Sequence, residues 1–178
     1  MLFRSKINKS FQINLSGFYV KGKGYFEQYK AIQSLTDYNL PVLIDGNDTI
    51  TQTDLVRQLW LDNDYYGTVF SAQYSKSKTN LIFGGTANNY EGKHFGKIIQ
   101  TIEPNTAPKD FVWYNVPANK KELAVFTKWS NTINNHWNAF IDLQLRNVNY
   151  HIDGFQYNPG LFIKNNYLFF NPKLGFSY

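Results

Sequence analysis

Trp137-Asn138-Ala139-Phe140-Ile141-Asp142-Leu143-Gln144-Leu145-Arg146 decides the fold class. Trp137, Ala139, Ile141, Leu143 and Leu145 fall on one side of this stretch, and Asn138, Phe140, Asp142, Gln144 and Arg146 on the other. Successive side chains of an extended chain point to opposite sides, so a period of two marks a strand with one apolar face. Phe11, Ile13, Leu15, Gly17 and Tyr19 repeat the pattern against Gln12, Asn14, Ser16 and Phe18. Weaker versions follow at Tyr66, Thr68, Phe70, Ala72 and Tyr74, at Leu81, Phe83, Gly85 and Ala87, and at Leu123, Val125, Thr127 and Trp129. The last is Phe170, Pro172, Leu174, Phe176 and Tyr178. In the strand that begins at Leu81, Ile82 and Tyr90 offer a competing register.

The expected fold is therefore all-β, an antiparallel meander of about six strands. Short polar turns are expected at residues 8–10, 75–79 and 132–136, alternating with long connections at roughly 30–55, 91–121 and 152–166. A compact soluble domain rarely uses structureless loops beyond about 15 residues, whereas a membrane barrel has tight turns at one rim and long loops at the other. Phe11, Tyr19, Tyr66, Tyr74, Trp129, Trp137 and Tyr178 stand near the ends of the apolar rows, where the aromatic girdles of such a barrel would lie. Core aromatics of a β-sandwich are the competing explanation.

Composition agrees with a strand-rich chain: aromatic residues make up 18% of the 178 positions, and such residues favour pleated sheets and interfaces. Cysteine is absent, which removes disulfides, Cys-ligated zinc and thiol nucleophiles. The net charge of +5 comes from lysines scattered along the chain, not from the concentrated footprint expected of a nucleic-acid binder. No run of about 20 apolar residues is present, so a transmembrane helix is excluded, but strands of about 10 alternating residues remain open. Residues 1–9 lack the apolar core of a signal peptide. A complete protein of this kind would be cytoplasmic; in a fragment the true start lies upstream.

Several stretches, in order, resemble the barrel of TonB-dependent outer-membrane receptors. They are Gly22-Lys23-Gly24-Tyr25-Phe26-Glu27-Gln28-Tyr29-Lys30, then Asp54-Leu55-Val56-Arg57-Gln58-Leu59-Trp60-Leu61-Asp62-Asn63-Asp64-Tyr65-Tyr66-Gly67, and Asn89-Tyr90-Glu91-Gly92-Lys93-His94-Phe95-Gly96. Phe140-Ile141-Asp142-Leu143-Gln144-Leu145-Arg146 and Phe169-Phe170-Asn171-Pro172-Lys173-Leu174-Gly175 complete the series. Each alone is only a strand with its rim; their order and spacing carry the resemblance.

The resemblance implies that residues 1–178 are a partial barrel domain, an open segment of a 22-stranded transmembrane β-barrel. The plug domain, the region that meets TonB and the remaining strands would lie outside it. It further implies a Gram-negative outer-membrane location, contact with outer-membrane lipid, and energy-dependent uptake of an iron complex such as a ferric siderophore or of a similar scarce nutrient. Such a fragment would not transport by itself. Residues 1–5, Met1-Leu2-Phe3-Arg4-Ser5, look foreign to the strand pattern and are read as an artefact of sequence assembly. The rival from another class is a soluble β-rich carbohydrate-binding or phage structural module.

No enzyme emerges, and no cofactor, catalytic or metal-binding residue is assigned; the ligand-binding residues stay undefined. His94, His136 and His151 are expected in a long loop, a tight turn and at a strand end, too far apart to share a metal. Asp62, Asn63 and Asp64 offer oxygen ligands but read better as a polar strand rim, and Asp45-Gly46-Asn47-Asp48 as a turn. Gly22-Lys23-Gly24 and Gly84-Gly85 match no phosphate loop and suit a curved strand. Asp142, Gln144 and Arg146, with Lys128 and Lys173, are expected to face the lumen.

Overall fold

A computed structural model describes residues 2–102, 107–108 and 110–178. Seven strands form one antiparallel sheet in the order β1-β2-β5-β6-β7-β8-β9, with a separate two-stranded hairpin, β3-β4, inserted between β2 and β5. The strands are β1 (Leu2–Lys6), β2 (Phe11–Ser34), β3 (Leu43–Asp45), β4 (Asp48–Ile50), β5 (Gln52–Lys76), β6 (Thr79–Thr101), β7 (Phe111–Thr132), β8 (Asn138–Phe155) and β9 (Asn158–Ser177). A 3-10 turn, Leu35–Tyr38, follows β2. The described sheet is open: β1 and β9 are its two edges.

Three features depart from the expected six-strand pattern. Leu2–Lys6 is a seventh strand, paired with β2 from Leu2 opposite Ser16 to Lys6 opposite Gln12, so these residues are not foreign to the sheet. The strands are also far longer than their apolar rows: β2 runs for 24 residues and β5 for 25. The connection expected at 152–166 shrinks to Gln156 and Tyr157 between β8 and β9, and that at 30–55 keeps only the 3-10 turn and the small hairpin as an excursion. Of the connection expected at 91–121, most belongs to β6 and β7, while residues 103–106 and 109 lie outside the described ones.

The short turns stand where they were expected and have a local cause. Asn8 Oδ1 accepts the Ser10 N–H at 2.8 Å, and Asn134 Oδ1 accepts from His136 and Trp137 at 2.9 and 3.0 Å. Such side-chain mimicry of a backbone turn is why Asn is favoured there. Ser77, at φ 54°, supplies the left-handed step between β5 and β6.

Register places every apolar row on one face. Phe11, Tyr74, Leu81, Trp129, Ile141 and Leu174 form one cross-strand line, which settles the β6 register in favour of the Leu81 row over Ile82. This is called the Phe11 face below, and its reverse the Gln12 face.

At the far end from the short turns, the Gln12 face carries a small core. Leu35, Leu55 and Ile98 are fully buried, with Tyr38, Leu40 and Trp113 around them. Burying each aliphatic side chain stabilises the packing by about 1.5–3 kcal/mol. Asn39 Nδ2 donates to the Trp113 carbonyl at 2.9 Å, and Arg57 donates to the Tyr38 hydroxyl at 3.0 Å, fixing the 3-10 turn against the sheet. All four register shifts, at Lys30/Gln33, Val56/Arg57, Gly96/Lys97 and Asp153/Phe155, lie toward this rim.

Candidate functional site

Physical interest divides between the two faces. On the Phe11 face, side chains of the lower part of the sheet stand open: Leu15 is 47% exposed, Phe83 49%, Leu123 53% and Phe170 62%. The apolar row spans residues 11–19 on β2 and 168–178 on β9, or roughly 26–33 Å along the strands at about 3.3 Å per residue. Tilted by about 40°, it would stand roughly 20–25 Å tall. Its footprint from β2 to β9 is on the order of 600 Å², at the upper end of what a soluble monomer leaves exposed.

Aromatic rings bound this band. Phe11, Tyr74 and Trp129 share its lower line, Trp137 lies 5.0 Å from Tyr178, and Tyr19 faces Tyr66 at the top. The reverse of the same strand segments carries the charged and amide side chains, with Val69, Phe140 and Phe169 among them. Lys128 pairs with Asp142 at 3.5 Å, and Arg146 with Glu122 at 2.9 Å, while Gln144 and Asn171 meet at 3.4 Å. Asp142, Gln144, Arg146, Lys128 and Lys173 all fall on the Gln12 face, as their alternation required.

Above the band the Phe11 face turns abruptly polar without leaving the sheet. Lys21 reaches Asp62 at 2.7 Å and Asp64 at 2.8 Å, Lys23 reaches Asp62 at 3.3 Å, and Tyr66 donates to Glu91 at 3.0 Å. Lys21, Asp62, Asp64 and Glu91, with Lys93, Asn119, His151 and Asp153, line a cavity of about 350 Å³. Above them Trp60 stands between Tyr25 (4.4 Å) and Phe95 (5.7 Å), with Lys23 and Lys97 over its ring.

The Gln12 face at this height carries Tyr65, Tyr90, Lys120 and Tyr150 in one cross-strand line. Tyr150 stacks on Tyr167 at 6.0 Å, and Asn165 donates to the Tyr150 hydroxyl at 3.0 Å.

The residues singled out from sequence now have places. His94 lies within β6, not in a loop, and on the Gln12 face; His151 lies within β8 on the opposite face, 2.5 Å from Asp153; His136 occupies the expected turn and stacks on Tyr178. Asp62 and Asp64 point to the Phe11 face and are neutralised by lysines, while Asn63 points away, so the three do not converge as a cation cage. Asp45-Gly46-Asn47-Asp48 closes the β3-β4 hairpin, with Gly46 at φ 59°. Aromatic rings lie over the glycine pair: a Cβ at Gly84 would come within 2.8 Å of Phe126, and one at Gly85 within 2.9 Å of Phe70.

Sequence reading took Asp62, Asn63 and Asp64 for a polar strand rim but missed their pairing with Lys21 and Lys23, and it missed the buried turn. No period-two alternation announces either, the belt because both faces carry polar residues there and the turn because its Leu35, Tyr38 and Leu40 lie outside a strand. A weak signal existed in Lys21, Lys23, Asp62 and Asp64, each two residues apart and therefore on one face.

Among the described residues no helix is long and apolar enough to cross a membrane. No family model matches the chain, and no curated protein matches it. The architecture defines the class on its own terms: an all-β protein built on one large, open antiparallel sheet.

Proposed function

We propose that this chain is part of the wall of an outer-membrane β-barrel receptor of the TonB-dependent kind, which takes up an iron complex such as a ferric siderophore or a similar scarce nutrient. The observation that carries the reading is an exposed, charge-free apolar row of about membrane thickness, shared by one face of six neighbouring strands that run to as many as 25 residues. Strands of globular proteins usually run to about 10 residues, so the excess length needs another use. In a barrel it is a collar standing clear of the lipid. The paired faces agree: charge on the lipid side at mid-membrane costs about 2–4 kcal/mol, and the charged residues of the banded segment lie on the reverse.

Closure of such a wall requires further strands against β1 and β9, since an unpaired strand edge in hydrocarbon leaves backbone groups unsatisfied. The plug and the TonB contact would belong to other parts of the polypeptide. Within the collar, Tyr65, Tyr90, Tyr150 and Lys120 turn phenol edges and an ammonium group toward the lumen, a surface suited to an anionic chelate.

Depth-dependent quenching tests the lipid band. With single-tryptophan variants in vesicles, brominated lipid should quench Trp129 and Trp137 and spare Trp60 and Trp113; equal quenching of all four would remove the membrane reading. Uptake is tested in the native host, where deletion of the coding stretch should slow growth when iron is chelated or another scarce nutrient is limiting. Unchanged growth throughout would remove the receptor reading.

A soluble β-rich module that binds carbohydrate keeps one specific support, the exposed Tyr25–Trp60–Phe95 row, whose rings could stack on sugars. Retention on a polysaccharide column that is lost with Trp60→Ala, in a chain indifferent to vesicles, would favour it.

A further inference from the structure

Lysines dispersed along the sequence converge in space at the short-turn rim. Lys6 ends β1, Lys9 sits in the β1-β2 turn, and Lys76 and Lys78 flank Ser77 in the β5-β6 turn. The two turns are tied directly, the Ser75 N–H donating to the Ser10 carbonyl at 2.7 Å. All four lysines are exposed, and none forms an ion pair with a described residue.

This rim, including the β7-β8 turn with His136, holds no Asp or Glu. The opposite rim carries Asp37, Asp45, Asp48, Asp54 and Asp110 against Lys30 and Lys97 among its described residues. The charge asymmetry therefore runs along the strands, across the apolar band. Position matters as much as sign. Tyr74, on the band's lower aromatic line, is two strand residues from Lys76, which sets their Cα atoms roughly 7 Å apart along β5, and Phe11 on the same line directly follows the turn that holds Lys9.

We infer that this rim docks on anionic glycerophospholipid headgroups, the lysines contacting phosphates while the adjoining band accepts the acyl chains. The inference rests on the lipid-facing reading of the band and adds its partner and orientation. A lone basic cluster would suit any polyanion; one placed immediately outside an aromatic-bounded apolar band matches a headgroup layer. Each lysine held near an anionic surface adds to the attraction, which salt then screens.

Partition of the full 178-residue chain into vesicles tests this, followed by tryptophan emission. Binding to equimolar phosphatidylcholine and phosphatidylglycerol should exceed that to pure phosphatidylcholine by at least about tenfold at low salt, from four charges near the surface. The Lys6→Gln, Lys9→Gln, Lys76→Gln, Lys78→Gln variant should lose most of that preference, and the corresponding Lys→Arg variant should keep it.

Lys93→Gln with Lys164→Gln, on the belt above the band, should leave it unchanged. A charge preference that survives the Gln variant, or falls equally with Lys93 and Lys164, overturns the inference and leaves the band intact. A wild-type chain that enters neither vesicle overturns the membrane reading and this inference with it.

Discussion

Replacing Leu15 by Arg puts the membrane reading at risk in a single measurement. Leu15 lies midway along the β2 apolar row, 47% exposed, between Phe3 of β1 and Phe70 of β5. In water the change is mild. The side chain is already half exposed, so losing its remaining burial costs about 1 kcal/mol. Against lipid, an arginine at mid-membrane costs about 2–4 kcal/mol, a 30- to 1,000-fold shift of the folding equilibrium. Ser16, the next residue, faces the opposite way, and Ser16→Arg is the internal control. The assay is urea unfolding of both variants in vesicles, with the midpoints read by tryptophan fluorescence. Leu15→Arg should be the less stable by at least about 2 kcal/mol. Equal stabilities in lipid would refute the assignment of the Phe11 face to hydrocarbon.

Other expectations follow from the collar. Gly96→Ala would bring a Cβ within 2.2 Å of the Trp113 ring, so Trp113 must shift; overpacking of this kind costs about 1–3 kcal/mol and should weaken the near-ultraviolet circular dichroism. Asp54 holds the β2 bulge, accepting the Ile32 N–H at 2.8 Å and the Tyr29 hydroxyl; the latter bond, then the former, keeps its carboxyl below the usual carboxylate range. Its contribution is thus complete above the unfolded-state value and disappears as pH falls through the lowered one, so Ile32 amide exchange, corrected for intrinsic rate, should accelerate only in acid. Asp54→Asn should show the fast exchange at neutral pH. Removing Arg146 as Arg146→Met leaves Glu122 with Lys120 alone, 3.6 Å away, and should lower stability to urea by about 1–3 kcal/mol.

The banded half of the sheet was legible because one face of each strand is charge-free and largely apolar while the other carries the charged and amide side chains. At residues 137–146 and 11–19 alternation alone predicted the strand and which residues share a face. It failed where that contrast vanishes. Residues 21–29 show no apolar alternation and 91–96 were expected in a long connection, although they continue β2 and β6. What holds them extended is the hydrogen-bond ladder and the Lys21–Asp64 and Lys23–Asp62 pairs across it, and those pairs exist only once the strands are side by side. The β8-β9 connection was misjudged for a related reason. Its turn depends on Gly154, at φ 85° and with the Pro159 carbonyl 2.6 Å from where a Cβ would stand, and a lone glycine inside a strand pattern does not announce a bulge. The rim lysines were visible one by one, but their convergence belongs to the topology.

The belt above the band also bears on how this sequence can diverge. Lys21 is shared by two carboxylates, and Asp62 by two ammonium groups. Loss of Lys21 leaves Asp64 without its cation while Asp62 keeps Lys23, and loss of Asp62 leaves Lys23 without its carboxylate while Lys21 keeps Asp64. Drift at these four positions should therefore proceed by concerted replacement, with Lys21 and Asp62 changing together or exchanging signs, while Lys23 and Asp64 vary more freely. A set of homologous genes, once collected, would show that covariation as a pattern spread over two strands distant in sequence.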